Sequence, residues 1–148
     1  MFSAQLWMLL SVIYTVNGEE CFNLTDIDST IWMQALTLRY YQLYGRQDAA
    51  AMAEKFTEDC FFLDKGRPLQ RGREVVQNAY EKLFEQGVTS SSFGFFDGVP
   101  IGSTDYLSVV VQEGLRDDKD RPIKSVVLLL LKRVDEGVCY QIHLKMEI

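Results

Sequence analysis

The sequence contains little of what metal sites and nucleic-acid surfaces are built from. It has one histidine and three cysteines in 148 residues, without a CxxC or Cys/His spacing typical of zinc. Its 15 Lys and Arg are outnumbered by 21 Asp and Glu, giving a formal net charge of −6. The cations are scattered, whereas phosphate binding needs them clustered. We therefore expect no metal, no cofactor and no nucleic-acid partner.

Charged residues are also missing from the start of the chain. No Lys, Arg, Asp or Glu precedes Glu19, and an apolar run extends over residues 6–16. This run is shorter than the about 20 apolar residues that span a bilayer. Small side chains before the Gly18–Glu19 bond suit signal peptidase. We predict a signal peptide over residues 1–18, a mature secreted domain over residues 19–148 and no membrane association after cleavage; the alternative is a buried N-terminal helix.

Two further features agree with secretion. Asn23 begins the triplet Asn-Leu-Thr, which is an N-glycosylation acceptor. The three cysteines allow at most one internal disulfide, and Cys60 stands among apolar residues as a small core residue. We predict a disulfide between Cys21 and Cys139.

The rest of the chain has enough apolar residues, 47%, for one hydrophobic core. Helical spacing predicts a first helix over residues 31–45, with a stop at Gly45, a second over 49–56 and a third over 74–86. A short strand over residues 57–64 lies between the second and the third helix. The predicted order after the leader is helices first and strands afterwards, which is an α+β pattern.

From residue 90 onward the apolar residues recur with a period of two, which predicts strands over 91–97, 106–115, 123–134 and 138–148. In the last strand the even positions from 138 to 148 are apolar, so we predict that they form the core face and that the odd positions, Lys145 among them, form the polar face. Residues 126–131 are apolar on both faces and need a cover on both sides. We therefore predict a homodimer through this face of the sheet.

The segments RYYQLYGRQDAAAMAEKFTEDCFFLD, residues 39–64, and LQRGREVV, residues 69–76, resemble the opening half of SnoaL-like proteins of the NTF2-like superfamily. The resemblance covers nearly all of the mature chain in pattern. It implies a cone in which three N-terminal helices pack in a curved, mostly antiparallel sheet. The superfamily includes ketosteroid isomerase, polyketide cyclases, dehydratases, the oligomerising domain of calmodulin-dependent kinase II and binding proteins without activity, so the fold alone does not define the function.

Two positions match ketosteroid isomerase in residue type and in separation. Tyr40 would match its catalytic tyrosine, which hydrogen-bonds an enolate oxygen, and Asp64 its proton-shuttling aspartate. Burial among the apolar residues 61–63 would raise the pKa of Asp64, a form of tuning for which ketosteroid isomerase is itself the standard illustration. Leu131 stands at or near the position of that enzyme's second, protonated aspartate, where it donates no hydrogen bond. The resemblance therefore implies an incomplete oxyanion hole.

The sequence leaves three hypotheses of function open. The first is a secreted protein that binds a small hydrophobic ligand in the cone. The second is an isomerase-like or cyclase-like enzyme that uses Asp64 and Tyr40, and the third is a homo-oligomerisation module. Tyr40 could instead be a core residue, Asp64 a turn residue and His143 a surface or interface residue. The apolar residues expected to line the pocket are Trp32, Leu36, Phe62, Phe84 and Leu131.

Overall fold

The computed structural model describes residues 13–16, 19–23, 30–102, 104–134 and 139–148. The described helices are α1 (Thr30–Arg46), α2 (Ala49–Glu54) and α3 (Arg73–Glu85). The described strands are β1 (Ile13–Val16), β2 (Glu19–Asn23), β3 (Phe56–Leu63), β4 (Gln70–Arg71), β5 (Thr89–Pro100), β6 (Tyr106–Arg116), β7 (Pro122–Arg133) and β8 (Cys139–Glu147). Across these residues, no helix is both long enough and apolar enough to cross a membrane.

The strands form one sheet in the order β1-β2-β8-β7-β6-β5, and β3 pairs with both β8 and β4. The pairings are antiparallel, except that β3 runs parallel to β8. Register shifts interrupt β3, β5 and the β7–β8 ladder, and such irregularities bend the strands that contain them. The result is an α+β fold in which helices lie against one face of a curved, mixed sheet.

The order of the elements differs from the sequence prediction. Strand β2 precedes the first described helix and pairs with β8 at Phe22↔Tyr140, so the prediction that helices come first after residue 18 is wrong. A strand of five residues is too short to give a periodic signal, and β2 forms because β1 and β8 pair with it on its two sides. Strand β1 falls within residues 1–18, most of which lie outside the described part, so the signal peptide stays a prediction.

The helix boundaries follow local chemistry. Asp48 caps α2 by accepting a hydrogen bond from the Ala51 amide at 3.1 Å. Helix α1 does not stop at Gly45 as predicted but continues to Arg46, and the chain then turns at Gln47, whose φ is +51°. Gly45 has ordinary helical geometry, so the left-handed position falls two residues later than glycine placement predicts.

The Cys21 and Cys139 side chains form a disulfide between β2 and β8, with Cα atoms 5.5 Å apart. Both are fully buried. Cys60 is a buried free thiol on β3. The bond ties the start of the described chain to the last strand of the sheet.

The two faces of β7 have different surroundings. Val127, Leu129 and Leu131 point into the core and are at most 2% exposed. On the opposite face Val126 is 38% exposed, and Leu128 and Leu130 are only partly buried. The prediction that both faces are apolar is therefore correct in pattern, but within the described chain only one of them is covered.

Candidate functional site

Two oppositely charged side chains are buried at the centre of the inner face of the sheet. Glu113 on β6 is 3% exposed, and Lys145 on β8 is 7% exposed. The Lys145 Nζ atom lies 2.7 Å from the Glu113 Oε1 atom. Burying two charges costs free energy unless they pair and form further hydrogen bonds. Buried ionisable groups of this kind are therefore candidates for a functional site.

Glu113 reaches this position through simple strand alternation. It shares the inward face of β6 with Leu107, Val109, Val111 and Leu115, all of them buried. The sequence indicates a buried charge at this position, because Glu113 is the one carboxylate among the alternating apolar residues of the inward face of β6. The sequence reading did not single it out.

Lys145 reaches the same face because of an irregularity in the β7–β8 ladder. Leu131 pairs with Ile142, whereas Leu130 pairs with Leu144, so His143 is an extra residue without an opposite partner. A bulge of this kind reverses the faces of every residue beyond it. The prediction that Lys145 lies on the polar face and Leu144 on the core face is therefore wrong.

Three tyrosine hydroxyl groups complete a buried cluster, which we call the tyrosine–ion-pair cluster: Tyr40, Tyr44, Tyr80, Glu113 and Lys145. Tyr40 donates to Glu113 Oε1 at 2.7 Å and Tyr44 donates to Oε2 at 2.9 Å. Lys145 donates to the hydroxyl oxygens of Tyr80 at 2.7 Å and of Tyr44 at 3.1 Å. Tyr44 and Tyr80 stand 3.2 Å apart, oxygen to oxygen.

The cluster shifts the pKa values of Tyr40, Tyr44 and Lys145. Burial, followed by the negative charge of Glu113, raises the pKa of Tyr40 and of Tyr44 well above the usual range. Burial alone would lower the pKa of Lys145, but Glu113 and the Tyr80 hydroxyl outweigh it and raise this pKa. The phenols of Tyr40 and Tyr44 therefore stay neutral and the Lys145 ammonium stays charged, which makes Lys145 a hydrogen-bond donor and not a nucleophile.

Asp64 directly follows β3, and the charges of Lys145 and Glu113 in the cluster affect its pKa. Burial raises the pKa of its carboxyl, the positive charge of Lys145 lowers it and Glu147 raises it, with a net shift upward. This is the direction expected from its apolar neighbours in the sequence. Asp64 also opens a turn, because its carbonyl accepts a hydrogen bond from the Arg67 amide at 3.1 Å.

Tyr40 and Asp64 are thus brought near the same cluster, but Tyr40 is not a vacant donor. Its single hydroxyl proton is directed to the Glu113 carboxylate. An enolate oxygen would have to displace this charge-assisted bond, which is stronger than a bond between neutral groups. In this arrangement the Tyr40 proton is therefore already engaged, which disfavours the oxyanion role.

The predicted pocket residues fall into two groups. Phe62 and Leu131 are buried in the core, and the Phe62 ring packs 6.4 Å from the Tyr80 ring, centroid to centroid. Phe84 is partly buried and packs against the rings of Tyr44 and Tyr80 at 6.4 and 6.0 Å. The side chains of Trp32, Leu36 and the predicted glycosylation site Asn23 lie outside the described residues.

A groove of about 500 Å³ opens beside the helices, and it is also lined by Phe84. Its walls come from the start of α2 and from one side of α3. The lining residues are Gln47, Asp48, Ala49, Ala50, Gln77, Glu81, Phe84 and Glu85. Phe84 therefore contacts the tyrosine–ion-pair cluster and faces the groove at the same time.

His143 belongs to a separate site on the other side of the sheet. Its Nδ1 atom is 2.8 Å from the Thr57 hydroxyl oxygen and 3.7 Å from Asp59 Oδ1, and its ring packs on Phe61 and Tyr106. Burial lowers the pKa of His143, and the charge of Asp59 opposes this. Thr57 and Asp59 approach the same ring nitrogen, so the three do not form a catalytic triad. Within the described residues, no group of three or more His, Cys, Asp or Glu could hold a metal.

Comparison with known proteins identifies the fold. No protein-family model and no curated protein sequence matches the chain. A cystatin-like-fold domain from Nostoc punctiforme is 15% identical, with a TM-score of 0.63 over 77% of this chain and 74% of its own. A ketosteroid isomerase-like protein from Erwinia carotovora atroseptica is 18% identical, with a TM-score of 0.57 over 78% of this chain and 93% of its own.

A third similar structure is a putative calcium/calmodulin dependent protein kinase II association domain from Xanthomonas campestris. It is 11% identical, with a TM-score of 0.62 over 90% of this chain and 96% of its own. Further matches are an NTF2-like protein and a protein with NTF2 in its name. The chain therefore has the NTF2-like fold, as its sequence predicts.

Proposed function

We propose that this chain is a secreted ligand-binding protein of the NTF2-like fold, and that it holds a small, mainly apolar molecule at the tyrosine–ion-pair cluster. The observation that carries the proposal is the convergence of Glu113, Lys145 and three tyrosine hydroxyl groups inside the cone. Apolar side chains of similar volume would stabilise the fold as well or better. A buried polar cluster with apolar walls is the usual composition of a small-molecule site.

The first test is native mass spectrometry of the protein collected from the medium of secreting cells. We expect a co-purified small molecule on wild-type protein and at least tenfold less of it on the variant Glu113→Leu/Lys145→Met, which removes both charges together. The control is Asp105→Asn/Arg133→Gln, which removes an exposed ion pair and should retain the molecule. Absence of a bound molecule, or equal amounts on both variants, would overturn the proposal.

An enzyme that uses Asp64 is the second candidate. The observation in its favour is the raised pKa of Asp64, since a general base works best when its pKa approaches the working pH. Asp64→Asn should then leave binding of the co-purified molecule unchanged and abolish its turnover. If Asp64→Asn binds and turns over the molecule as wild type does, the enzyme proposal is wrong.

Assembly is a third proposal, and it is compatible with either of the others. The outer face of the sheet presents Phe61, Leu63, Leu128, Leu130, Leu144 and Met146 on three adjacent strands, all partly buried, beside the more exposed Val126. A second copy of the chain is a suitable cover for so apolar a face.

Light scattering after size exclusion should report a homodimer. Leu130→Lys should convert it to a monomer, whereas Asn78→Lys, an equal change of charge at an exposed position on α3, should leave it intact. A wild-type protein that is monomeric at all concentrations contradicts this proposal.

A further inference from the structure

Strand β1 is the outermost strand at one end of the sheet, and it lies entirely within the predicted signal peptide. Among the described strands, β1 pairs with β2 alone, and β2 pairs with β8 on its other side. The proposed cleavage between Gly18 and Glu19 would remove β1 and leave β2 at the edge of the sheet. The backbone N–H and C=O groups of β2 that pair with β1 would then lose their partner.

Strand β2 would keep its extended shape after this cleavage. Cys21 stands in the middle of β2, and the disulfide joins it to Cys139 on β8. Phe22 pairs with Tyr140 in the β2–β8 ladder and is fully buried in the core. An edge strand that is already held in place loses little conformational entropy when a partner strand binds, and this favours binding.

Strand β1 shows what kind of segment this edge accepts. It is an extended segment with the sequence Ile-Tyr-Thr-Val, and it pairs antiparallel with β2 from Ile13↔Phe22 to Val16↔Glu19. β-branched and aromatic residues favour strands. When a peptide extends a sheet in this way, the main-chain hydrogen bonds supply the affinity. We therefore expect the occupant of the edge after cleavage to be another extended segment of similar composition.

The sequence of β2 distinguishes a second copy of the chain from a different partner. β2 begins with two acidic residues, Glu19 and Glu20, which the ladder sets opposite positions 16 and 15 of β1. A second copy of β2 would add two more acidic residues to the same edge, and like charges across a strand pair are unfavourable. A partner strand with Lys or Arg at these positions would form pairs of opposite charge. The α-amino group created at Glu19 offsets part of the charge, so Glu20 should contribute more.

We infer that the mature protein presents β2 as a strand-acceptor edge, which is a sheet edge that binds an extended peptide segment of another protein. The preferred segment carries β-branched or aromatic residues opposite Cys21 and Phe22. It carries Lys or Arg opposite Glu19 and Glu20. The inference goes beyond the binding of a small molecule, because it concerns a different surface, and it rests on the secretion and leader cleavage in the proposed function.

The probes for the experiment are two synthetic peptides with blocked ends. The first copies residues 11–18, Ser-Val-Ile-Tyr-Thr-Val-Asn-Gly, and the second carries the changes Thr15→Lys and Val16→Lys. Titration calorimetry with the mature protein collected from the medium should show that both peptides bind. The lysine peptide should bind about threefold more tightly at low salt, and the difference should disappear at about 1 M salt. The full chain that retains residues 1–18 should bind at least about tenfold more weakly, because β1 occupies the edge.

Two sets of controls test the strand pairing and the charge preference. Successive amides of a strand point to opposite sides, so N-methylation of the first peptide at positions 13 and 15, or at 14 and 16, should abolish binding in one case and spare it in the other. In the protein, Glu19→Gln/Glu20→Gln should remove the preference for the lysine peptide. The matched control is Glu81→Gln/Glu85→Gln, an equal change of charge at exposed positions on α3, which should keep the preference.

The outcomes separate this inference from the proposed function. If the secreted protein begins at Glu19 and neither peptide binds, or if both N-methylated peptides bind as the first peptide does, the strand-acceptor edge is overturned and the secretion stands. Equal affinities of the two peptides overturn the charge preference. A mature dimer that the first peptide dissociates would show that the occupant is a second copy. Secreted protein that still carries residues 1–18 would overturn both the cleavage and this inference, whereas native mass spectrometry tests the small molecule independently.

Discussion

Lys145 and Glu113 depend on each other because both charges are almost completely buried. Lys145 also packs over aromatic faces, with its Nζ atom 5.0 Å from the centroid of the Tyr80 ring and 5.9 Å from that of Phe62. Such contacts favour a cation, but they do not replace a counter-charge. Removing one partner of the pair should therefore lower the free energy of unfolding more than removing both partners does.

We expect Glu113→Gln to lower the free energy of unfolding by about 3–5 kcal/mol, because it leaves the Lys145 charge buried without its partner. Urea unfolding at pH 7 measures this. The double variant Glu113→Leu/Lys145→Met should recover most of the loss. Asp105→Asn, at an exposed ion pair, should cost at most about 1 kcal/mol. Equal losses in the two single variants would show that the buried charge is not the cause.

The raised pKa of Asp64 predicts that the free energy of unfolding depends on pH. Its folded-state pKa is raised, so the folded state binds a proton more tightly than the unfolded state does. Stability should therefore fall as pH rises from the unfolded pKa, about 3.9, through the folded pKa. Asp64→Asn should remove this component and make the protein more stable at pH 7. Urea unfolding of both proteins between pH 4 and 7 measures the difference, and parallel curves would contradict it.

Among the structural elements, α3 has the boundaries that depend most on glycine. It is preceded by Gly72, with a φ of +100°, and followed by Gly87, with a φ of +77°. A Cβ atom at position 87 would also lie 3.0 Å from the Asp118 Cβ atom. Helix α3 carries Tyr80 and Phe84. Its end is therefore fixed at a position that only glycine can occupy without strain.

Gly87→Ala should lower the free energy of unfolding by about 1–2 kcal/mol, the cost of a left-handed alanine. The matched control is Gly45→Ala inside α1, where the added Cβ would have no atom within 4 Å apart from its chain neighbours and the backbone of its own helix. That change should instead stabilise the protein by about 0.5–1 kcal/mol. Thermal and urea unfolding of the two variants should give shifts of opposite sign, and shifts of the same sign would refute the assignment.

The disulfide between β2 and β8 closes a loop with a sequence separation of 118 residues. Closing so long a loop reduces the entropy of the unfolded chain, which typically stabilises a fold by about 2–5 kcal/mol. Urea unfolding should show that the free energy of unfolding of the reduced wild type, and of the variant Cys21→Ser/Cys139→Ser, is lower by this amount than that of the oxidised wild type. Cys60→Ala should remain sensitive to reductant, because it keeps the bond. A wild type that is insensitive to full reduction would contradict the prediction.

At the scale of the whole molecule, the predicted leader, the glycosylation site and the disulfide all point to the secretory pathway. Expression of the full chain in secreting animal cells should yield protein in the medium that begins at Glu19. Removal of N-glycans should reduce its mass, and Asn23→Gln should already show the reduced mass. Protein that is retained in the cells with residues 1–18 intact would overturn the proposal of secretion.

The sequence by itself determined much of the architecture, because periodicity and local chemistry are readable along the chain. The period of 3.6 locates α1 and α3, the period of two locates β5 to β8, and Asp48 marks the start of α2. These signals require only neighbouring residues, since each element buries one face. The family resemblance singled out Tyr40 and Asp64; the structure places Tyr40 in the tyrosine–ion-pair cluster and Asp64 within range of the Lys145 charge, and their catalytic role stays a prediction.

Only the tertiary structure decided what the site contains. The bulge at His143 turned Lys145 inward, and no local pattern reveals a register shift that depends on the partner strand. Glu113 became its counter-ion because β6, β7 and β8 stand side by side. That contact in turn directed the Tyr40 and Tyr44 protons to Glu113, since hydrogen-bond partners are determined by proximity in space and not along the chain.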